Sequence, residues 1–398
     1  MKSYSISLFI LVFLLPISLD GQRTYWQQEV NYKIEVKLDD NQHTLKGKIE
    51  LEYVNNSPDT LREIYMHLWP NAYKHRSTAY AQEQANNGKV DFHLSSKQER
   101  GYIDRLSFKI DKRAIKMEYD ASNPDIALLK LRSPLMPGKK CLIETPFYVK
   151  IPHTFSRLGH VKQDYQICQW YPKPAVYDFN GWHPMPYRDQ GEFYAEFGSF
   201  EVYIDIPANY VVGATGILQD EEEVEYMHSL SEETKAFIKE GKSFSDEFTN
   251  RKGRKILKYT QDNVHDFAWF ASKDYRVHSS TAKLESGKEV RSWALFYEKD
   301  IDSWQHVSGY VNDALFYFSK WLGDYPYEHC TAVQGPLLAG GGMEYPMITI
   351  IGDNILDHKV LDEIIAHEVG HNWFQGILAS NERDYPWMDE GLNSYYEA

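Results

Sequence analysis

The 398-residue chain is long enough for two or three domains with sizeable cores, and with 42% apolar and 25% charged residues it has the composition of an ordinary globular protein. A formal net charge of −14 argues against nucleic acid as the main partner, because phosphate binding needs a basic surface; the acidity serves solubility. An aromatic content of 15%, with 29 Tyr and 10 Trp, suits broad packed β faces.

Lys2 precedes an apolar run over residues 6–19, interrupted by Pro16 and followed by Asp20-Gly21-Gln22. The run is shorter than the roughly 20 residues a membrane span needs, so 1–21 reads as a secretory signal cleaved after Gly21. The mature chain is then periplasmic or secreted. No Cys follows the run, which argues against a bacterial lipid anchor, and no later segment is apolar enough to span a bilayer. Cys141, Cys168 and Cys330 are few, odd in number and widely spaced, which favours three buried thiols over a disulfide framework.

From 22 to 272 the sequence reads as a β-domain. Residues 30–38 alternate apolar with polar, Asp39-Asp40-Asn41 marks a turn, and Leu45, Gly47, Ile49, Leu51 and Tyr53 share the face of a second strand. Further strands are predicted over 64–68, 126–131, 142–151, 200–206, 210–212, 256–259 and 266–271, together forming an antiparallel sandwich. A densely charged insertion over 219–255 reads as a solvated excursion with a short exposed helix over 231–239.

Beyond 273 the character becomes mixed α/β. Helical spacing of Trp304, Val307, Val311, Leu315, Phe316, Phe318 and Trp321 predicts a core-facing helix over 301–322. Strands at 332–333 and 347–351 flank a glycine-rich turn, Leu338-Ala339-Gly340-Gly341-Gly342-Met343-Glu344-Tyr345-Pro346. Its glycines allow close approach of a substrate backbone, and Glu344 could hold a substrate's α-ammonium. Taken alone, the segment reads as a turn with an exposed glutamate.

The next helix carries Ala366-His367-Glu368-Val369-Gly370-His371. Asp357 or Asn354 can cap it, Val360, Leu361, Ile364 and Ile365 give it a buried side, and Gly376 can stop it. His367 and His371, four apart, project from one helical face, as two nitrogen ligands of one zinc ion require. Glu390, nineteen residues after His371 on a last helix starting near Pro386, is a candidate third ligand. Two His and one Glu leave a fourth position open, the arrangement of a catalytic zinc. Glu368 is placed to move a proton, and the implied reaction is amide hydrolysis without a covalent intermediate. Gly370 costs about 1 kcal/mol in a helix relative to Ala, which points to close approach of a neighbouring element.

In order and separation, GGMEY, HEVGH and WMDEG resemble the GxMEN, HExxH and WxxEG motifs of the aminopeptidase N and leukotriene hydrolase family of gluzincin metallopeptidases. The resemblance covers about residue 25 to the end. It implies an α+β multidomain fold, a saddle-shaped β-domain followed by a thermolysin-like domain over 273–398. It implies one Zn2+ per chain on His367, His371 and Glu390, and Glu368 as general base. Glu344, with the backbone of Gly341, Gly342 and Met343, would bind the amine end of peptide or protein substrates with a free N-terminus. Gln169 is the counterpart of a further amine contact from the β-domain. Tyr345 stands where the family usually has Asn. The family's transition-state tyrosine and helical C-terminal domain normally follow further downstream, so the resemblance also implies a chain truncated at Ala398 with incomplete catalytic equipment. The alternatives are a thermolysin-like endopeptidase, which shares HExxH and a distant Glu, and a non-catalytic peptide-binding or scaffold relative, against which the intact ligands and base count.

Overall fold

The alternating runs near the N-terminus form the middle of a nine-stranded sheet in the computed structural model, which describes residues 25–244, 250–337 and 341–398. The expected signal segment lies outside the described residues. Glu29–Asp39 and Thr44–Val54 pair as a hairpin along their whole length, and the Asp39 carboxylate closes the turn by accepting from the Asn41 and Gln42 amides. Val30, Tyr32, Ile34, Val36 and Leu38 all point into the core. Each such aliphatic side chain, fully buried, contributes about 1.5–3 kcal/mol. Lys140–Lys150 extends this sheet beyond Thr44–Val54, and Arg254–Val264 extends it beyond Gly198–Pro207. One pairing departs from the antiparallel expectation: Gly198–Pro207 runs parallel to Glu29–Asp39. A connection of that length imposes no hairpin geometry, so either direction is open to it.

Two four-stranded sheets and a two-stranded hairpin, Tyr177–Asp178 with Gly181–Trp182, complete this β-rich region among the described residues. One orders Gly159–Val161, Asp164–Ile167, Trp269–Ser272 and Val211–Ala214; the other orders Lys173–Pro174, Leu61–His67, Ile126–Leu135 and Met117–Tyr119. Cys141, Cys168 and Cys330 are buried free thiols, as their spacing suggested.

The charged segment corrects the sequence reading. Instead of a short exposed helix, Glu221–Glu240 forms a twenty-residue helix, capped by the Asp220 carboxylate at its start and ended by Gly241 in the left-handed conformation. Met227, Leu230, Ser231 and Thr234 are buried, and the helix packs on the strand Tyr275–Lys283. Glu223 points inward as well, paired with Arg251 at 2.8 Å and with Lys255. The acidic head and the basic tail of the segment thus partly neutralise each other.

The C-terminal part is a five-stranded sheet, Tyr275–Lys283, Glu289–Tyr297, His329–Gly335, Ile348–Gly352 and Gly342–Tyr345 in spatial order. The inner pairings of His329–Gly335 are parallel, whereas the outermost strand, Gly342–Tyr345, is antiparallel to its neighbour. Part of the expected glycine-rich turn is therefore an edge strand. The predicted helix over 301–322 is broken into Ile301–Trp304 and Val307–Leu322. Trp304, Val307, Val311, Leu315 and Phe318 are buried as expected, but Phe316 is only half-buried and Trp321 is exposed. Among the described residues, no helix is long and apolar enough to cross a membrane.

Candidate active site

The helix His358–Gly370 begins at Asp357, whose carboxylate accepts from the Lys359 and Val360 amides. Leu361, Ile365 and Val369 anchor it in the core beside Val307–Leu322, while Val360 faces solvent. Regular helix ends at Gly370, before the expected stop at Gly376, and the chain turns through Gln375 at a φ of 78°. The last helix proper is Glu390–Glu397, preceded by a short 3-10 turn at Pro386–Met388.

Gly370 lies where these elements meet. A Cβ there would stand 2.1 Å from the Asn393 carboxamide oxygen and 2.6 Å from the Phe318 ring. Asn393 also donates from its amide nitrogen to the His367 carbonyl at 2.7 Å, binding the last helix to the metal-motif helix. Gly370→Ala is accordingly expected to destabilise the chain. Overpacking costs about 1–3 kcal/mol, which outweighs the gain of about 1 kcal/mol in helix propensity. Chemical denaturation checks the sign, and a variant more stable than wild type would contradict the close approach.

His367, His371 and Glu390 converge. The two Nε2 atoms are 3.1 Å apart, and a Glu390 oxygen lies 3.4 Å from His367 Nε2 and 3.9 Å from His371 Nε2. A tetrahedral ion with ligands at about 2.0–2.1 Å separates them by about 3.3 Å, so the three atoms form one face of a tetrahedron of zinc size. The outward nitrogens are held as well, His371 Nδ1 by Asp389 at 2.6 Å and His367 Nδ1 by Glu397 at 2.5 Å. These outer partners fix the ring orientation and leave both Nε2 atoms turned toward the Glu390 carboxylate. The donor set and its spacing fit zinc.

Around this group opens a cleft of about 440 Å³, lined among others by Arg157, Glu192, Glu344, Glu368 and the edge strand. Glu368 is buried, its Oε2 has no hydrogen-bond partner, and a Cβ on Gly342 would come within 2.3 Å of its Oε1. Only glycine lets the strand pass so close to that carboxylate. Burial pushes Glu368 up to about 7, against the opposing pull of His371 and His367. Burial also raises Glu344 well above the usual carboxylate range. For His371, burial disfavours the charged ring, but Glu344, Asp389 and Glu368 together raise it well above an ordinary imidazole. Glu390 is held low by its contact with His367. The cleft carries more negative charge than its own cations balance, which suits a divalent ion.

Glu344 sits on the edge strand with an oxygen in the same cluster as Glu368 and His371. Gln169 is placed differently: it lines a narrower recess on the far side of Glu344, and its Oε1 accepts from Tyr345 OH at 3.2 Å. The hairpin that carries Glu344 turns at Pro346-Met347, with Met347 at a φ of 67° and its amide donating to Asn372 directly after His371. Sequence reasoning missed Asp389, Glu397, Asn372, Glu192 and Glu382. The first two had a signal, since Asp389 adjoins Glu390 and Glu397 lies two helical turns beyond it.

No protein-family model matches the chain. Aminopeptidase Q of Mus musculus is 30% identical over 129 residues, covering 29% of this chain and 23% of that protein. Leucine aminopeptidase 2 of Aspergillus fumigatus is 32% identical over 78 residues, covering 18% of this chain and 12% of that protein. The match thus spans less than a quarter of the length of either relative. Among solved structures, an M1 zinc metallopeptidase from Deinococcus radiodurans superposes with a TM-score of 0.57 at 14% identity, covering 93% of this chain and 69% of that one. A mutant of the same enzyme bound to a Tyr-Ser-Ala substrate gives 0.58, again at 14% identity, with 93% and 70% covered. Those likenesses establish the α+β fold; the sequence matches, local as they are, make stretches of this chain similar to aminopeptidases.

Proposed function

We propose that this chain provides the metal site and amine-binding residues of an exported zinc aminopeptidase. The observation that carries the reading is the convergence of His367, His371 and Glu390 at zinc-ligand spacing, in a cleft that also contains Glu368 and Glu344. Zinc bound by these three residues would supply Lewis acidity, lowering the pKa of a water towards about 7 and polarising the scissile carbonyl. Glu368, buried beside the ligands and free at Oε2, takes the proton from the attacking water and delivers it to the leaving amine. Glu344 holds the substrate's α-ammonium and so fixes which peptide bond reaches Glu368. The edge strand Gly342–Tyr345 offers backbone groups along which a substrate chain can lie, and the bare Gly342 leaves room for the Glu368 carboxylate beside it.

The test is a comparison of aminoacyl substrates with free and with acetylated N-termini, using the zinc-loaded protein. Cleavage of the free form and little action on the blocked form supports an aminopeptidase. Preference for blocked peptides would instead identify a thermolysin-like endopeptidase.

A further inference from the structure

Glu344 also belongs to a second group of carboxylates, which includes none of the three candidate metal ligands. One oxygen from each of Glu192, Glu344 and Glu382 lies within 4.8 Å of the others. Glu192 is already matched: the buried Arg157 guanidinium donates to it at 2.7 Å. Glu382 is not. It is 2% exposed, and its Oε1 accepts no hydrogen bond. A buried carboxylate oxygen with no donor is costly, and it is tolerated where a ligand supplies the missing donor. In the same recess His265 Nε2 is also buried without a partner. The recess leaves about 20 Å³ free, room for one water-sized group.

The shape and charge of that space select its occupant. A protonated amine is water-sized, carries one positive charge and offers three N–H donors to surrounding acceptors. Calcium and magnesium take six or more oxygen ligands, several of them commonly waters, for which the recess has no room. Arg157, next to Glu192, further disfavours a divalent ion.

We propose that Glu382 is a specificity-determining residue that grips the substrate's α-ammonium together with Glu344. This rests on the aminopeptidase reading above and deepens it: two carboxylates from different elements, the edge strand and the loop before Glu390, close on one amine. An acetylated N-terminus brings no charge and too much bulk, so it is rejected by both.

The test compares binding of a set of aminoacyl amides and their N-acetyl forms by calorimetry. It uses zinc-loaded Glu368→Gln protein, with and without Glu382→Gln, so that binding is read without turnover. The expected result is an affinity for the free amides about tenfold or more weaker in Glu382→Gln, the scale of a lost charge-assisted hydrogen bond, with the acetylated forms unchanged. The melting temperature should hold, because burial and the carboxylates of Asp389, Glu344 and Glu192 already raise the Glu382 carboxyl well above the usual range in the ligand-free protein, and glutamine keeps its shape; Glu382→Asp, which keeps the carboxyl but withdraws it, should lose affinity too. Undiminished affinity of Glu382→Gln for the free amides, while the parent still discriminates against acetylated ones, overturns the role of Glu382 and leaves the aminopeptidase reading standing. Absence of discrimination in the parent overturns both. A second bound metal per chain, lost in Glu382→Gln, overturns the ammonium assignment.

Discussion

Glu368→Gln is expected to lower turnover by about 10²–10⁴-fold, the usual share of a general base, while the protein keeps its fold and its metal. Glutamine preserves the shape of the side chain in the tight space under Gly342 but cannot accept a proton. The three atoms at zinc-ligand spacing belong to His367, His371 and Glu390, so the substitution leaves the metal group untouched. Replacing a buried carboxylate that lies close to Glu344 also removes a repulsion, so stability should not fall. Three measurements decide the matter: kcat on an unblocked aminoacyl substrate, zinc content and melting temperature. Wild-type kcat in a zinc-replete variant would remove Glu368 from the proposed mechanism.

His371→Ala has a different signature, with metal and stability lost together. Wild-type protein is expected to carry about one zinc per chain, and the variant close to none after dialysis, because two remaining ligands cannot hold the ion at ordinary affinity. His371 and Asp389 are both fully buried, and deleting the ring leaves the Asp389 carboxylate without its hydrogen bond. Stripping one partner from a buried charged pair costs about 3–5 kcal/mol. The double variant with Asp389→Ala should regain part of that stability while remaining metal-free, which separates the two effects. Elemental analysis showing no zinc in well-folded wild type would sink the site assignment itself.

The legible parts of this molecule are those whose periodicity is local. Alternation in Glu29–Asp39 and Thr44–Val54 located the central hairpin, because one face of each strand is buried along its whole length. The spacing of His367 and His371 placed two ligands on one helical face for the same reason. Of the helix Glu221–Glu240 only the stretch 231–239 was expected; its length and buried face escaped because its charges hid the buried stripe, and because the partners that make an inward Glu223 tolerable, Arg251 and Lys255, come much later in the chain. Phe316 and Trp321 follow helical spacing yet leave the core, since which part of an apolar stripe is covered depends on the neighbouring helices. The stop at Gly370 was obscured by Gly376, a good helix terminator on paper, while packing against Asn393 and Phe318 is a tertiary event. Glu192 and Glu382 belong to no motif; only the folded chain brings them to Glu344.

The outer hydrogen bonds of the metal group also bear on time. A side chain that releases an ion departs only if it also swings out of place, and here each route is blocked: His371 by Asp389, His367 by Glu397, and the helix of Glu390 by the link from Asn393 to the His367 carbonyl. A ligand that lets go therefore stays within reach and recaptures. Escape of a bound zinc would need several of these contacts to open at once, so its loss to a chelator is expected to follow local opening of the two helices.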